Sequence, residues 1–202
     1  MSNSSEHGVA LIIVMMTMTL LTALAMALTL ATITETAIAV NYRDAEEVLY
    51  AAEGSVEFVM QELAGASDWR AAASGSGQSG FVDGAANGIR AVGAVSLDLA
   101  QATRDVNGIA VGAAGTPSPP FVLYAFGRFL DLVPSGMGWS DIYVAVWVAD
   151  RSEPSGDEMS EPQALSVLGQ AYGTRGSRRT VEAIIEKAGA STIRARAWRE
   201  WR

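Results

Sequence analysis

The fold turns on residues 8–34, "GVALIIVMMTMTLLTALAMALTLATIT", and on residues 35–63, "ETAIAVNYRDAEEVLYAAEGSVEFVMQEL", which follow without a break. From Val9 to Thr34 no residue is charged. A run of about 26 residues would measure roughly 39 Å as an α-helix, enough to cross a bilayer. Threonines 17, 19, 22, 29, 32 and 34 dilute its hydrophobicity, but in a helix their hydroxyls can bond to carbonyls one turn earlier. Beyond Thr34 there is no proline up to Leu63, and Val48, Leu49, Ala52, Val56, Val59, Met60 and Leu63 recur at three- and four-residue spacing. The spacing predicts that the helix continues, with Glu46, Glu53, Glu57 and Glu62 on its other face, Gly54 as its weak point and Gly65 as its stop. One helix from Val9 to about Ala64 would be roughly 84 Å long, half apolar all round and half amphipathic. A plain membrane anchor has no need of the second half.

Composition narrows the function classes. The chain has 202 residues, half of them hydrophobic, which suits one domain with an added anchor. Its 22 acidic and 14 basic residues give a net charge of −8, so a nucleic-acid partner has no electrostatic support. The charge is uneven: the front of the chain, Glu35 to Leu63, is acidic, and the tail, with Lys187, Arg194, Arg196, Arg199 and Arg202, is basic. There is no cysteine, which excludes disulfides, thiolate metal sites and cysteine nucleophiles. The one histidine, His7, lies in the polar stub before the apolar run, and Lys187 is the one lysine. Nothing marks a nucleophile with its base, so the chain reads as a non-enzyme that needs no cofactor.

The remaining sequence reads as β-rich. "AAASGSGQSG" (71–80) and "VDGAANG" (82–88) read as loops. Gly75, Gly77 and Gly80 match a dinucleotide-binding spacing, but no strand precedes them and the match is empty. "AVSLDLA" (94–100) reads as a strand, and "GTPSPP" (115–120) as an extended break. Four further strands follow in "FVLYAFGRFLDL" (121–132), "DIYVAVWVAD" (141–150), "ALSVLGQAY" (164–172) and "RRTVEAIIE" (178–186). Short turns, with Gly173, Gly176 and Ser177 at the last, imply an antiparallel meander. In the second of these strands Ile142, Val144, Val146 and Val148 share a face. A sheet with one buried face needs a cover, and residues 35–63 supply the one long amphipathic helix. The basic tail is expected near the acidic helix surface, with a solvated, frayed end as the alternative. Trp198 and Trp201 favour docking.

In the acidic stretch "DRSEPSGDEMSEP" (150–162), Asp150, Glu153, Asp157, Glu158 and Glu161 fall close together. Clustered carboxylates between glycine and proline turns suit calcium, although the spacing is not that of an EF-hand. Calcium is therefore the candidate ion, with Asp150, Glu153, Asp157 and Glu158 as its ligands.

A short polar leader ending in Gly8, followed by an uncharged helix that becomes amphipathic, resembles the signal of type IV pilins and type II secretion pseudopilins. "GVALIIVMM" with "NYRDAEEVLYAAEGSVEFVMQEL", including Ala52-Glu53-Gly54, is similar to PilX-type minor pilins and to the tip pseudopilin of type II secretion. "LGQAYGTRGSRRTVEAIIEKAG" and "RAWREWR" resemble the closing hairpin and Trp-Arg-Glu tail of PilX-like pilus assembly proteins. The resemblance covers about residues 5–65 and 140–202 and implies an α+β fold of type IV pilin type, a long N-terminal helix packed on an antiparallel β-meander. Its segments would be a prepilin leader (1–8), a transmembrane and assembly half-helix (9–34), an amphipathic half-helix (35–65) and a β-rich head (66–202). It also implies cleavage by prepilin peptidase between Gly8 and Val9, methylation of the Val9 amine, and residence in the bacterial inner membrane before assembly into a filament. The partners implied are other minor pilins and the major pilin, met through the N-terminal helix.

Two positions depart from the pattern. Glu6-His7 replaces the basic residue usual before the glycine, and Ile13 replaces the glutamate found at the fifth mature position of major pilins. In major pilins that carboxylate is neutralised by a neighbour's N-terminal amine, because an unpaired charge in an apolar layer is costly. A subunit with Ile13 has no acid to pair and can stand first in the stack. That suggests a tip or initiation role in a type IV pilus or a type II secretion system. The competing reading is a secreted or single-pass ligand-binding module. Ala23-Leu24-Ala25 and Ala25-Met26-Ala27 fit signal cleavage, but Met1 to Gly8 lacks Lys and Arg and the apolar run is long for a signal peptide.

Overall fold

The computed structural model describes residues 3–114, 120–133, 140–152, 161–189 and 192–201. The chain divides into two units, Met1–Arg43 and Asp44–Arg202, and one helix, α1 (Asn3–Gly65), runs through both. In the first unit the described residues are all helical, and the side chains described, from Gly8 onward, are all exposed.

The second unit is built on an antiparallel five-stranded sheet in the order β3 (Val122–Arg128), β4 (Tyr143–Asp150), β5 (Ala164–Tyr172), β6 (Arg178–Gly189) and β7 (Thr192–Trp201). It is a simple meander, and the turn between β5 and β6 is closed by Gly173 and Ser177. Gly176 stands there at φ 85°, the left-handed region that favours glycine. Together with the N-terminal helix this is the α+β, pilin-like layout expected.

α1 covers one sheet face. Val48, Ala51, Ala52, Val56, Val59 and Leu63 are essentially inaccessible and share a core with Val144, Val146, Val148, Leu165, Val167, Val181, Ala183 and Ile185. Each large aliphatic side chain buried this way contributes about 1.5–3 kcal/mol. Helix and sheet approach closely because β5 and the turn that follows it offer glycine at the crossing. A Cβ on Gly169 would come 3.0 Å from the Ala52 carbonyl oxygen, and one on Gly173 would come 2.8 Å from Val48 Cγ2. Gly54, the expected weak point, also has a packing reason, since a Cβ there would meet the Phe129 ring at 3.2 Å. The helix ends at Gly65, where the Leu63 carbonyl accepts from Ala66 N (3.2 Å) and from the indole of buried Trp69 (2.8 Å).

The structure corrects the sequence expectations in four places. The sheet is buried on both faces: Tyr143, Ala145, Trp147, Ala149 and Leu168 point away from α1 into a second core with Phe121, Val92, Leu97, Leu99, Ala102 and Val106. That core is supplied by the hairpin β1 (Ile89–Val92) and β2 (Val95–Asp98) and by helix α3 (Leu99–Ala114). The expected strand at 94–100 therefore stops at Asp98, whose carboxylate accepts from the N–H groups of Ala100 (2.9 Å) and Gln101 (3.1 Å) and so caps α3. Within the expected loop, Arg70–Ser74 forms a short helix, α2. The basic tail is a strand, β7, whose described ion pairs are made with β6 and not with α1, because pairing to β6 satisfies its backbone as well as its charges. Most of the proline-rich break lies outside the described residues.

Candidate functional site

The apolar half of α1 is an uninterrupted helix whose threonines are satisfied within it. Thr17 donates to Val14 O (2.9 Å), Thr22 to Met18 O (2.8 Å), Thr29 to Ala25 O (2.9 Å), Thr32 to Leu28 O (3.0 Å) and Thr34 to Leu30 O (2.9 Å). These bonds remove the cost of carrying hydroxyls into lipid. The helix is long and apolar enough to cross a membrane. Gly8, Val9 and Ile13 lie on it, with Val9 58% and Ile13 56% exposed. A Cβ at Gly8 would meet nothing within 4 Å, so neither a turn nor a packing contact in the chain calls for glycine there.

The amphipathic half is fixed to the head through its acids as well as its apolar face. Asp44 accepts from Ser177 Oγ (2.5 Å) and Glu47 from Ser140 Oγ (2.6 Å). Glu62 accepts from the Ser79 hydroxyl and from Gly80 N (3.1 Å), which holds residues 79–83 along β3. Glu57 stays exposed.

Of the four expected calcium ligands, only Asp150 is described; Glu153, Asp157 and Glu158 lie outside the described residues. Asp150 ends β4, and its Oδ1 accepts from Ser152 N (2.8 Å). Glu161, at the far end of the stretch, pairs with Lys187. The Lys187 ammonium also donates to Ser67 O (3.2 Å) and stands 5.1 Å from the centre of the Trp69 ring. Among the described residues no three His, Cys, Asp or Glu side chains come together as a metal site would require.

The structure assembles two polar clusters that the sequence reading did not single out. Glu182 on β6 is 1% exposed and accepts from Ser166 Oγ (2.5 Å), Arg199 Nε (2.6 Å) and Trp201 Nε1 (2.9 Å), while the Arg199 guanidinium lies 4.8 Å from the Trp201 ring centre. The signal was a lone glutamate inside the apolar run "VEAII". Ser166, Arg199 and Trp201 each donate to the carboxylate, so the cluster fastens β7 to the sheet. In the second cluster, Asp83 accepts from Arg90 Nε (2.9 Å) and from the Tyr143 hydroxyl (3.0 Å). Burial, and then the Asp83 charge, push the Tyr143 phenol well above its ordinary range and keep it protonated. Between α3 and β5–β7 lies a cleft of about 370 Å³ lined by Val106, Leu168, Gln170, Arg178, Thr180 and Trp201. Its Gln170 and Trp201 are already bonded, to Thr180 and Tyr172 and to Glu182 respectively.

No curated protein and no solved structure matches the chain. Residues 7–57 match the family model described as PilX N-terminal. The match takes in the whole uncharged run, Gly8, Val9 and Ile13, and α1 as far as the buried positions Val48 to Val56. Residues 7–57 are thus similar to a PilX N-terminal segment, and the long N-terminal helix with antiparallel sheets is an α+β, pilin-like layout.

Proposed function

We propose that this chain is a minor pilin of a type IV pilus that acts by assembly at the tip or in the initiation complex. The observation that carries the reading is the continuity of α1. An uncharged helix with every described side chain from Val9 to Thr34 exposed becomes, without interruption, the helix whose Val48, Val56 and Leu63 are buried under a sheet. The first part suits lipid before assembly and neighbouring helices after it. The second ties the subunit's head to that helix.

Prepilin peptidase cuts between Gly8 and Val9, and the released Val9 amine is methylated. A glycine inside a helix costs about 1 kcal/mol relative to alanine. Gly8 has no contact that would offset this, which favours a role in recognition by the peptidase. The partners are other minor pilins and the major pilin, met through α1, and the subunit waits in the inner membrane with its head outside the cytoplasm. Ile13 leaves the subunit without the acid that would pair with a preceding amine, which supports a position with nothing beyond it. Calcium at the acidic loop, through Asp150, Glu153, Asp157 and Glu158, remains part of the proposal. Binding measured by titration calorimetry at millimolar calcium tests it, and no heat there would remove it.

The tip assignment is tested by Ile13→Glu, expressed from the native locus in a strain that lacks the wild-type chain. The expected outcome is a severalfold drop in filaments per cell with the protein still in the membrane. Unchanged filament numbers would refute the assignment.

A further inference from the structure

Three places in the chain put an asparagine or an aspartate directly before glycine: Asp83-Gly84, Asn87-Gly88 and Asn107-Gly108. Glycine has no side chain to shield its amide nitrogen, which can therefore reach the side-chain carbonyl carbon of the residue before it. The ring closes only where that carbon is a good electrophile and where side chain and backbone are free to turn toward each other. The three sites differ in both respects.

The Asp83 carboxylate is paired with Arg90 at 2.9 Å and accepts from the Tyr143 hydroxyl at 3.0 Å, so it is held in place and, as an anion, is a poor electrophile. Asn107 lies inside α3, where the Gly108 N–H belongs to the helical ladder. Its amide is also fixed at both ends: Nδ2 donates to Thr103 O (3.0 Å) and Phe121 O (3.1 Å), and Oδ1 accepts from Phe121 N (2.7 Å). Ring closure there requires the helix to open and these bonds to break. Asn87 is under neither restraint. It is exposed in the turn before β1, and its side chain bonds to no described residue. The Gly88 N–H makes one bond, a long one of 3.3 Å to Ala85 O.

We propose that Asn87 is a site of spontaneous deamidation. The Gly88 nitrogen attacks Asn87 Cγ, the Cγ–Nδ2 bond breaks, and ammonia leaves with the proton from Gly88, closing a succinimide. Water then opens the ring at either carbonyl. Aspartate forms where the new N–Cγ bond breaks, and isoaspartate where the bond from the nitrogen to the Asn87 main-chain carbonyl carbon breaks. Water is the one co-reactant, and one amide is exchanged for one carboxylate.

The new charge arises beside Arg90, whose guanidinium packs so closely on Gly88 that a Cβ there would run into its Nη1. Arg90 already donates to Asp83 and to Ala85 O (3.0 Å), so residue 87 becomes a second acid for the same cation. Isoaspartate also lengthens the backbone by one methylene before Gly88. That loosens the bond to Ala85 O and the one from Leu99 N to Gly88 O (3.3 Å), which ties this turn to the start of α3. The proposal concerns the head alone and stands whether or not α1 is processed.

The test incubates the full chain in detergent micelles in mildly alkaline buffer and follows residues 83, 87 and 107 by peptide mass spectrometry, with fragmentation that distinguishes isoaspartate. A parallel sample is unfolded in urea, where both asparagines precede glycine without restraint. In the folded chain Asn87 should convert at least about tenfold faster than Asn107, because Asn107 reacts only from an opened state. In urea the two should agree within about threefold. Folded chain enriched in isoaspartate should exchange the Leu99 amide faster than fresh protein, with Val48–Leu63 unchanged. Equal rates at Asn87 and Asn107 in the folded chain, isoaspartate at Asp83 as fast as at Asn87, or a folded Asn87 that stays intact while the unfolded one reacts would each overturn the proposal.

Discussion

Gly169 on β5 and Val56 on α1 are packed so closely that a Cβ on Gly169 would lie 2.5 Å from Val56 Cγ2, with the Ala52 carbonyl oxygen at 3.0 Å. The helix rests on the sheet through this contact, and only glycine leaves room for it. Gly169→Ala should destabilise the head by about 1–3 kcal/mol, since neither a backbone carbonyl nor a buried valine can move aside freely. Val56→Ala in the same chain should recover part of that loss, the two residues being in contact. Urea unfolding followed by tryptophan fluorescence measures both. A Gly169→Ala chain as stable as the wild type would show that the helix has slack there.

The buried Glu182 gives a second prediction. Glu182→Ala leaves the Ser166 hydroxyl and the Trp201 indole without their acceptor, at a cost of about 1–3 kcal/mol, while Arg199 can turn its exposed guanidinium to water. The loss should be local. Amide exchange should quicken in β7 before it does in Val48–Leu63 of α1, and uniform acceleration across both would count against the cluster's role in fastening the strand.

Burial raises the phenols of Tyr143 and Tyr172, the Asp83 charge adding to the first and the Asp105 charge to the second, where Arg178 opposes it. A raised pKa in the folded state means that the unfolded chain loses these protons first. Their contribution to stability is complete below about pH 10, the ordinary tyrosine value, and falls as the pH rises from there toward the folded values. Denaturation midpoints measured between pH 8 and about 11 should therefore drop steeply at the alkaline end, and less steeply in Tyr172→Phe. A flat profile would contradict the burial of these hydroxyls.

The sequence made α1 legible because an uncharged run and a three-four apolar repeat are local signals, and β3 to β6 were legible from their β-branched and aromatic content. The second core was missed although its sign was present. In Tyr143–Ala149 both alternating sets are apolar, which is the mark of a strand covered on both faces. α3 was missed because, among its described side chains, the buried ones are Leu99, Ala102 and Val106, set among small and polar residues. β7 read as a tail because its arginines suggest solvent, while its place is set by Glu182 and the register with β6, which is non-local. The candidate processing positions were legible as a motif, since glycine followed by a long uncharged run is written in consecutive residues. The partners of Glu182 depend on strand pairing and were not.

The central claim is that α1 is released from its polar leader and then works as an assembly helix. Intact-mass and N-terminal peptide spectrometry of the protein purified from its native envelope tests this most directly. The expected chain begins at Val9 and carries one methyl group on its amine. A chain that begins at Met1, or within α1 at Met26 or Leu28, would contradict the claim and identify a plain anchor or a secreted module instead.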